Sequence, residues 1–165
     1  MRSTRETRSG KHGRSQQESE QSRTLPAPSG GPISVLLLGL SQSGRCNERV
    51  VRFLQSTVFK LTQAADRREA RELLRRTPAP SVVITVLSLP DGNWCDLVKD
   101  VVRLETGSAV VLCSPRADER LWSEAIWRGV YDILVEPFDH NEVIRCIEGA
   151  HRSRTGVPFR KAAEA

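Results

Sequence analysis

Between residues 33 and 152, short aliphatic runs alternate with segments whose apolar residues recur at helical spacing. Ser34–Leu40, Ser81–Leu87 and Ala109–Cys113 are nearly continuous in apolar side chains. Such runs suit strands buried on both faces, as in a parallel sheet covered by helices. Phe59–Gln63 and Tyr131–Val135 complete a set of five strands. Asn47–Gln55 sets Val50, Val51 and Leu54 on one helical face. Asp66 followed by Glu69 forms a capping pattern ahead of Ala70, Leu73 and Leu74. Asn93 can cap a helix whose Leu97, Val98, Val101 and Val102 face inward. Ser114-Pro115 reads as the N-cap and first residue of a fourth helix. That helix turns Leu121, Trp122, Ala125 and Ile126 inward and ends at Gly129. Asp139 and Glu142 repeat the capping pair, with Val143, Ile144, Ile147 and Ala150 facing the core.

Parallel neighbours need crossover connections, which helices supply. The expected fold is therefore α/β: a doubly wound five-stranded parallel sheet, order 2-1-3-4-5, in a flavodoxin-like three-layer sandwich. Ligands of such sheets meet the carboxyl ends of the strands. Here that edge is formed by Gly39–Ser43, Val86–Asp91, Cys113–Pro115 and Val135–Pro137.

The formal charge of +5 is unevenly spread. Residues 1–30 hold six basic and three acidic residues, and residues 151–165 hold four and one. The stretch between them holds 15 basic and 16 acidic residues. The middle is nearly neutral, so the charge does not point to a nucleic-acid face. Residues 1–32 have Leu25 as their one large aliphatic side chain after Met1, too little apolar surface to offset chain entropy. They are expected to be a disordered basic tail, residues 33–152 the folded domain, and residues 153–165 a basic fray. Cys46, Cys95, Cys113 and Cys146 form no metal-ligand pattern and read as reduced thiols, with no metal expected. No run is long enough to span a membrane and no secretory signal is recognisable, so a cytoplasmic protein is expected.

Two loops are more specific: Leu89-Pro90-Asp91-Gly92 after the third strand, and Gly129 with Glu136-Pro137-Phe138 around the fifth. Together with the element spacing, they resemble the receiver domain of bacterial response regulators (the CheY-like superfamily). The resemblance covers roughly residues 33–152 and implies a part in two-component, phosphorelay-type signalling. Receivers accept a phosphoryl group on an aspartate, using an acidic pair, a hydroxyl and a lysine. The matching positions in this chain are Gly39 and Leu40 for the acidic pair, Val86 for the acceptor, Cys113 for the hydroxyl and Glu136 for the lysine. Ile133 stands where the family has a switching aromatic. A one-residue shift puts Thr85 or Leu87 at the acceptor position, and no aspartate lies between Asp66 and Asp91. The resemblance thus implies a degenerate pseudo-receiver: no catalysis, no cofactor and no phosphorylation.

Function then falls to protein contacts. Trp127 sits about 140° around its helix from Trp122 and is expected to be exposed. In receivers the fourth helix, fifth strand and fifth helix form the usual dimer or partner face. Trp127, Arg128, Glu136, Glu142 and Arg145 are the candidates there. The alternative is a flavodoxin-like binder of FMN or another anion. Ser41, Ser43, Gly44 and Arg45 would cradle the phosphate, with Trp94 as the available stacking aromatic. The same loop misses the P-loop pattern, because Arg45 and Cys46 replace its lysine and hydroxyl.

Overall fold

The computed structural model describes residues 31–40 and 44–155. Its elements run β1 (Ser34–Leu38), α1 (Gly44–Gln55), β2 (Lys60–Ala64), α2 (Arg67–Leu74), β3 (Val82–Val86), α3 (Trp94–Arg103), β4 (Ala109–Ser114), α4 (Glu119–Trp127), β5 (Asp132–Val135) and α5 (His140–Thr155). The sheet order is β2-β1-β3-β4-β5 and every pairing is parallel. This is the expected order. A two-residue antiparallel pair, Ser88–Leu89 with Gly92–Asn93, folds the loop before α3.

Burial explains the aliphatic runs. Every residue of β3 and all but the first of β1 are buried, because these strands sit inside the sheet with helices on both sides. Edge strand β2 is mostly half-exposed or exposed and is correspondingly polar. α2 packs on α3, and α5 on β3, β4 and β5. A stacked ring pair, Phe53 on His140 with centroids 3.9 Å apart, joins α1 to α5. His140 is therefore packed on a ring although its helix position is exposed. The N-terminal tail assignment lies outside the described residues. At the other end, α5 continues to Thr155, three residues beyond the expected boundary.

The expected caps at Asp66, Asn93 and Asp139 form: their carboxylate or amide oxygens accept from Glu69, from Cys95 and Asp96, and from Glu142. The fourth helix differs. Ser114 completes β4 opposite Val135, and its carbonyl accepts from the Glu136 amide. Its hydroxyl bridges Arg116 within the loop. Asp118 is the actual cap, accepting from the Leu121 amide at 2.7 Å. Ladder pairing thus claims Ser114 before helix geometry can.

Two inward assignments also fail. Val102 is 68% exposed and Ile126 is 38% exposed. Both lie about 140° from Leu97 and Leu121 respectively, beyond the arc that reaches the sheet. On α3 the opposite edge of the buried arc is taken by Asp100, which a charged partner holds in place.

That partner is Arg67, and it gives the Pro90-Asp91-Gly92 turn its role. The Asp91 carboxylate accepts from the amides of Arg67 and Arg68 at 2.9 and 3.0 Å. These are orphan donors in the first turn of α2, so Asp91 caps that helix from 24 residues away. Arg67 returns a bond to the Asp91 carbonyl and binds Asp100 through both Nε and Nη2, at 3.1 and 2.8 Å. Gly92 adopts φ +152°, which strains any other residue, and a Cβ there would also displace the Arg67 guanidinium 2.7 Å away. Partial burial pushes the Asp91 pKa up, but the amides of Arg67 and Arg68 outweigh it and leave the carboxyl below its ordinary value.

Asp91→Ala should lower stability by about 1 kcal/mol in a urea titration at neutral pH. Because the folded carboxyl titrates below its ordinary 3.8, the wild-type advantage exists above that pH and is lost as pH falls through the lowered value. The two unfolding curves should converge in acid; a gap unchanged by pH would contradict the capping role.

Candidate functional site

The ladder register aligns the carboxyl ends of the strands. Leu38 pairs with Thr85, so Gly39 follows beside Val86, and Val86 pairs with Cys113. Glu136 begins the turn after β5. The edge positions singled out in the sequence therefore do converge on one row.

At Leu40, Val86 and Cys113 that row is filled with carbon and sulfur. Leu40 is 1% exposed and Cys113 2%, while Val86 and Leu89 are also buried. Gly39 adopts φ +72°. A Cβ built there would lie 2.8 Å from Leu89 Cδ2 and 2.9 Å from Val86 Cγ2. The space a side chain at position 39 would need is already taken by those methyl groups. Thr85, the polar neighbour of Val86, is fully buried and bonds the Val86 carbonyl at 3.2 Å. Ile133 is buried in the core.

The divalent cation associated with receiver domains needs oxygen ligands, usually carboxylates. Positions 39, 40 and 86 offer no side-chain oxygen, and the methyl groups of Val86 and Leu89 occupy the space beside them. The residues present do not fit such a cation. Among the described residues, no group of three or more His, Cys, Asp or Glu side chains is placed to hold a metal.

Burial is the chief reason the Cys113 thiol is pushed far above its ordinary value, with Cys146 and Glu136 adding to it. Cys146 is pushed up to about 12, chiefly by burial, and then by Asp132 and Glu142. Neutral buried thiols are poor nucleophiles. Cys95, Cys113 and Cys146 are all free of disulfides.

The remaining candidates scatter. Ser41 and Ser43 lie outside the described residues. Gly44 and Arg45 form the backbone of the first turn of α1. Trp94, offered as a stacking aromatic, is buried, with the Arg128 guanidinium 5.9 Å from its ring centroid. Trp127 is 78% exposed and, with Arg128, lines an open groove against α3. Glu142 and Arg145 are exposed on α5 and Glu136 is half-buried; none of these three lines that groove. Val102, assigned to the core from its spacing, forms part of the groove. Only the packing of α3 beside α4 reveals this, since the two walls are more than 20 residues apart.

No protein-family model matches the sequence. Among curated proteins it is similar to the chemotaxis protein CheY of Thermotoga maritima, at 26% identity over 85 residues, 52% of this chain and 70% of that one. The solved receiver domain of an HD domain-containing protein from Pseudomonas fluorescens superposes with a TM-score of 0.65 at 22% identity. That match covers 79% of this chain and 98% of the other. A receiver domain of a Luxo repressor protein from Vibrio parahaemolyticus gives 0.64 at 17% identity, covering 74% and 92%. The sheet order and these superpositions give the chain the α/β fold of receiver domains. The sequence similarity is to CheY chemotaxis proteins, and the solved neighbours are receiver domains.

Gly39→Asp should destabilise the domain by about 2 kcal/mol or more, from backbone strain and the collision with Val86 and Leu89. A variant as stable as wild type in urea would show that the row can open. In the folded chain at pH 8, Cys113 and Cys146 should resist thiol reagents that label them fully in denaturant, as peptide mapping would reveal. Unfolded thiols ionise near their ordinary 9.0 while folded Cys146 does so near 12, so their contribution is intact below pH 9 and lost between these values.

Proposed function

We propose that this domain works in two-component signalling without being phosphorylated, as a protein-binding module and not an enzyme. The observation that carries the reading is the filled row: methyl groups of Val86 and Leu89 stand where a side chain at position 39 would go. Phosphoryl transfer to a carboxylate needs an acceptor, charge neutralisation by a cation and a counter-charge for the phosphoryl oxygens. Val86 offers no nucleophile, Gly39 and Leu40 offer no ligand, and Glu136 has the wrong sign.

A receiver stripped of this reaction retains its surface. The sheet and caps hold that surface rigid, and Trp127, Arg128, Glu136, Glu142 and Arg145 supply candidate contact groups on or beside α4, β5 and α5. No helix of the described residues is long and apolar enough to cross a membrane.

Incubation with acetyl phosphate and Mg²⁺ should leave the mass of the intact chain unchanged. A stable gain of one phosphoryl group, mapped to an aspartate or glutamate, would sink the proposal. Arg145→Glu and Glu142→Lys should leave folding intact, with thermal midpoints close to wild type, because both side chains are exposed.

A further inference from the structure

Four large hydrophobic residues are exposed among the described residues, and two of them, Val102 and Trp127, line one groove. The groove is open, about 480 Å³, and runs between α3 and α4. Val98 adds to its apolar lining, and Lys99, Arg103 and Arg128 add three cations. No acidic residue lines it. Arg128 is fixed in place, bonded to Glu124 at 3.1 Å and set over the Trp94 ring. Lys99 reaches Asp96 at 3.4 Å from an exposed position. Arg103 is exposed and makes no ion pair with another described residue.

An exposed tryptophan beside two valines, edged by three cations of which Arg103 has no ion pair with another described residue, is the anatomy of a small docking site: an apolar anchor surface with charged guidance. The surrounding domain is nearly neutral, so this cationic rim is a local feature and not part of a general basic field. The chain's own ends do not match it, because residues 1–30 and 151–165 each carry a net charge of +3.

We propose that the α3–α4 groove binds an acidic segment of another protein, one that places a Leu, Phe or Trp between carboxylates. The anchor would lie on Trp127, Val98 and Val102, and its flanking acids would meet Arg103, Lys99 and Arg128. This rests on the protein-binding reading above and moves the contact away from the α4–β5–α5 face to the opposite side of α4. A nucleic acid would engage the cations but would leave the aliphatic lining without a matching partner.

The full chain, immobilised, is panned against a random peptide library displayed on phage. The enriched peptides should carry Asp or Glu on both sides of a large apolar residue. Their binding should weaken at least about 10-fold in Trp127→Ala, by loss of the anchor contact. Arg103→Glu should weaken it comparably and flatten its salt dependence. Both side chains are exposed, so thermal unfolding confirms that the variants remain folded. Peptides without acidic bias, no enrichment at all, or binding that survives both substitutions would overturn the proposal. So would a dimer in sedimentation that Trp127→Ala dissociates, which assigns the groove to a second copy. Competition by a single-stranded oligonucleotide would assign it to nucleic acid. The acetyl phosphate experiment separates the two readings: no phosphorylation with a failed selection removes the groove alone, whereas phosphorylation removes the broader reading and leaves the selection interpretable.

Discussion

Val35–Leu38 and Val82–Val86 are buried from water on both faces, so their backbone amides and carbonyls depend on the sheet ladder for partners. An unpaired group there would cost about 1–3 kcal/mol, which holds β1 against β3 in the observed register. That register is the constraint on which the rest hangs. It carries Gly39 beside Val86, and the next pairing carries Val86 beside Cys113. The composition of the carboxyl edge is thus settled by the most deeply buried part of the molecule, and loop conformation has little freedom to alter it.

The legible part of the sequence was local or periodic. Continuous aliphatic runs marked β1, β3 and β4, since only strands covered on both faces use them. Asp66, Asn93 and Asp139 marked three helix starts because a cap acts within three residues of itself. Ser114 misled because it satisfied a local rule while a non-local one, pairing with Val135, had prior claim. Val102 and Ile126 misled because spacing shows which residues share a face, but not how wide an arc the sheet will cover. Asp91 was visible as part of a turn; its bonds to the amides of Arg67 and Arg68 were not, because nothing in a turn motif names a partner 24 residues back.

The edge row was legible as a set of positions and illegible as a volume. Reading Gly39, Val86 and Cys113 gives the absence of carboxylate and hydroxyl groups. It does not give the approach of Leu89, a residue of the same turn that Asp91 ties to α2. The turn therefore acts at both ends: its aspartate fastens a helix, and its leucine closes the edge of the sheet.

The glycine at position 39 also bears on which sequences can be reached from this one. Installing a carboxylate there, before Val86 and Leu89 are cut back, meets a steric wall; cutting those two back first opens a hole in the packed edge of the core. The order of substitutions therefore matters, and their separate effects will not add. Placing a carboxylate at position 39 thus calls for changing several contacting side chains together.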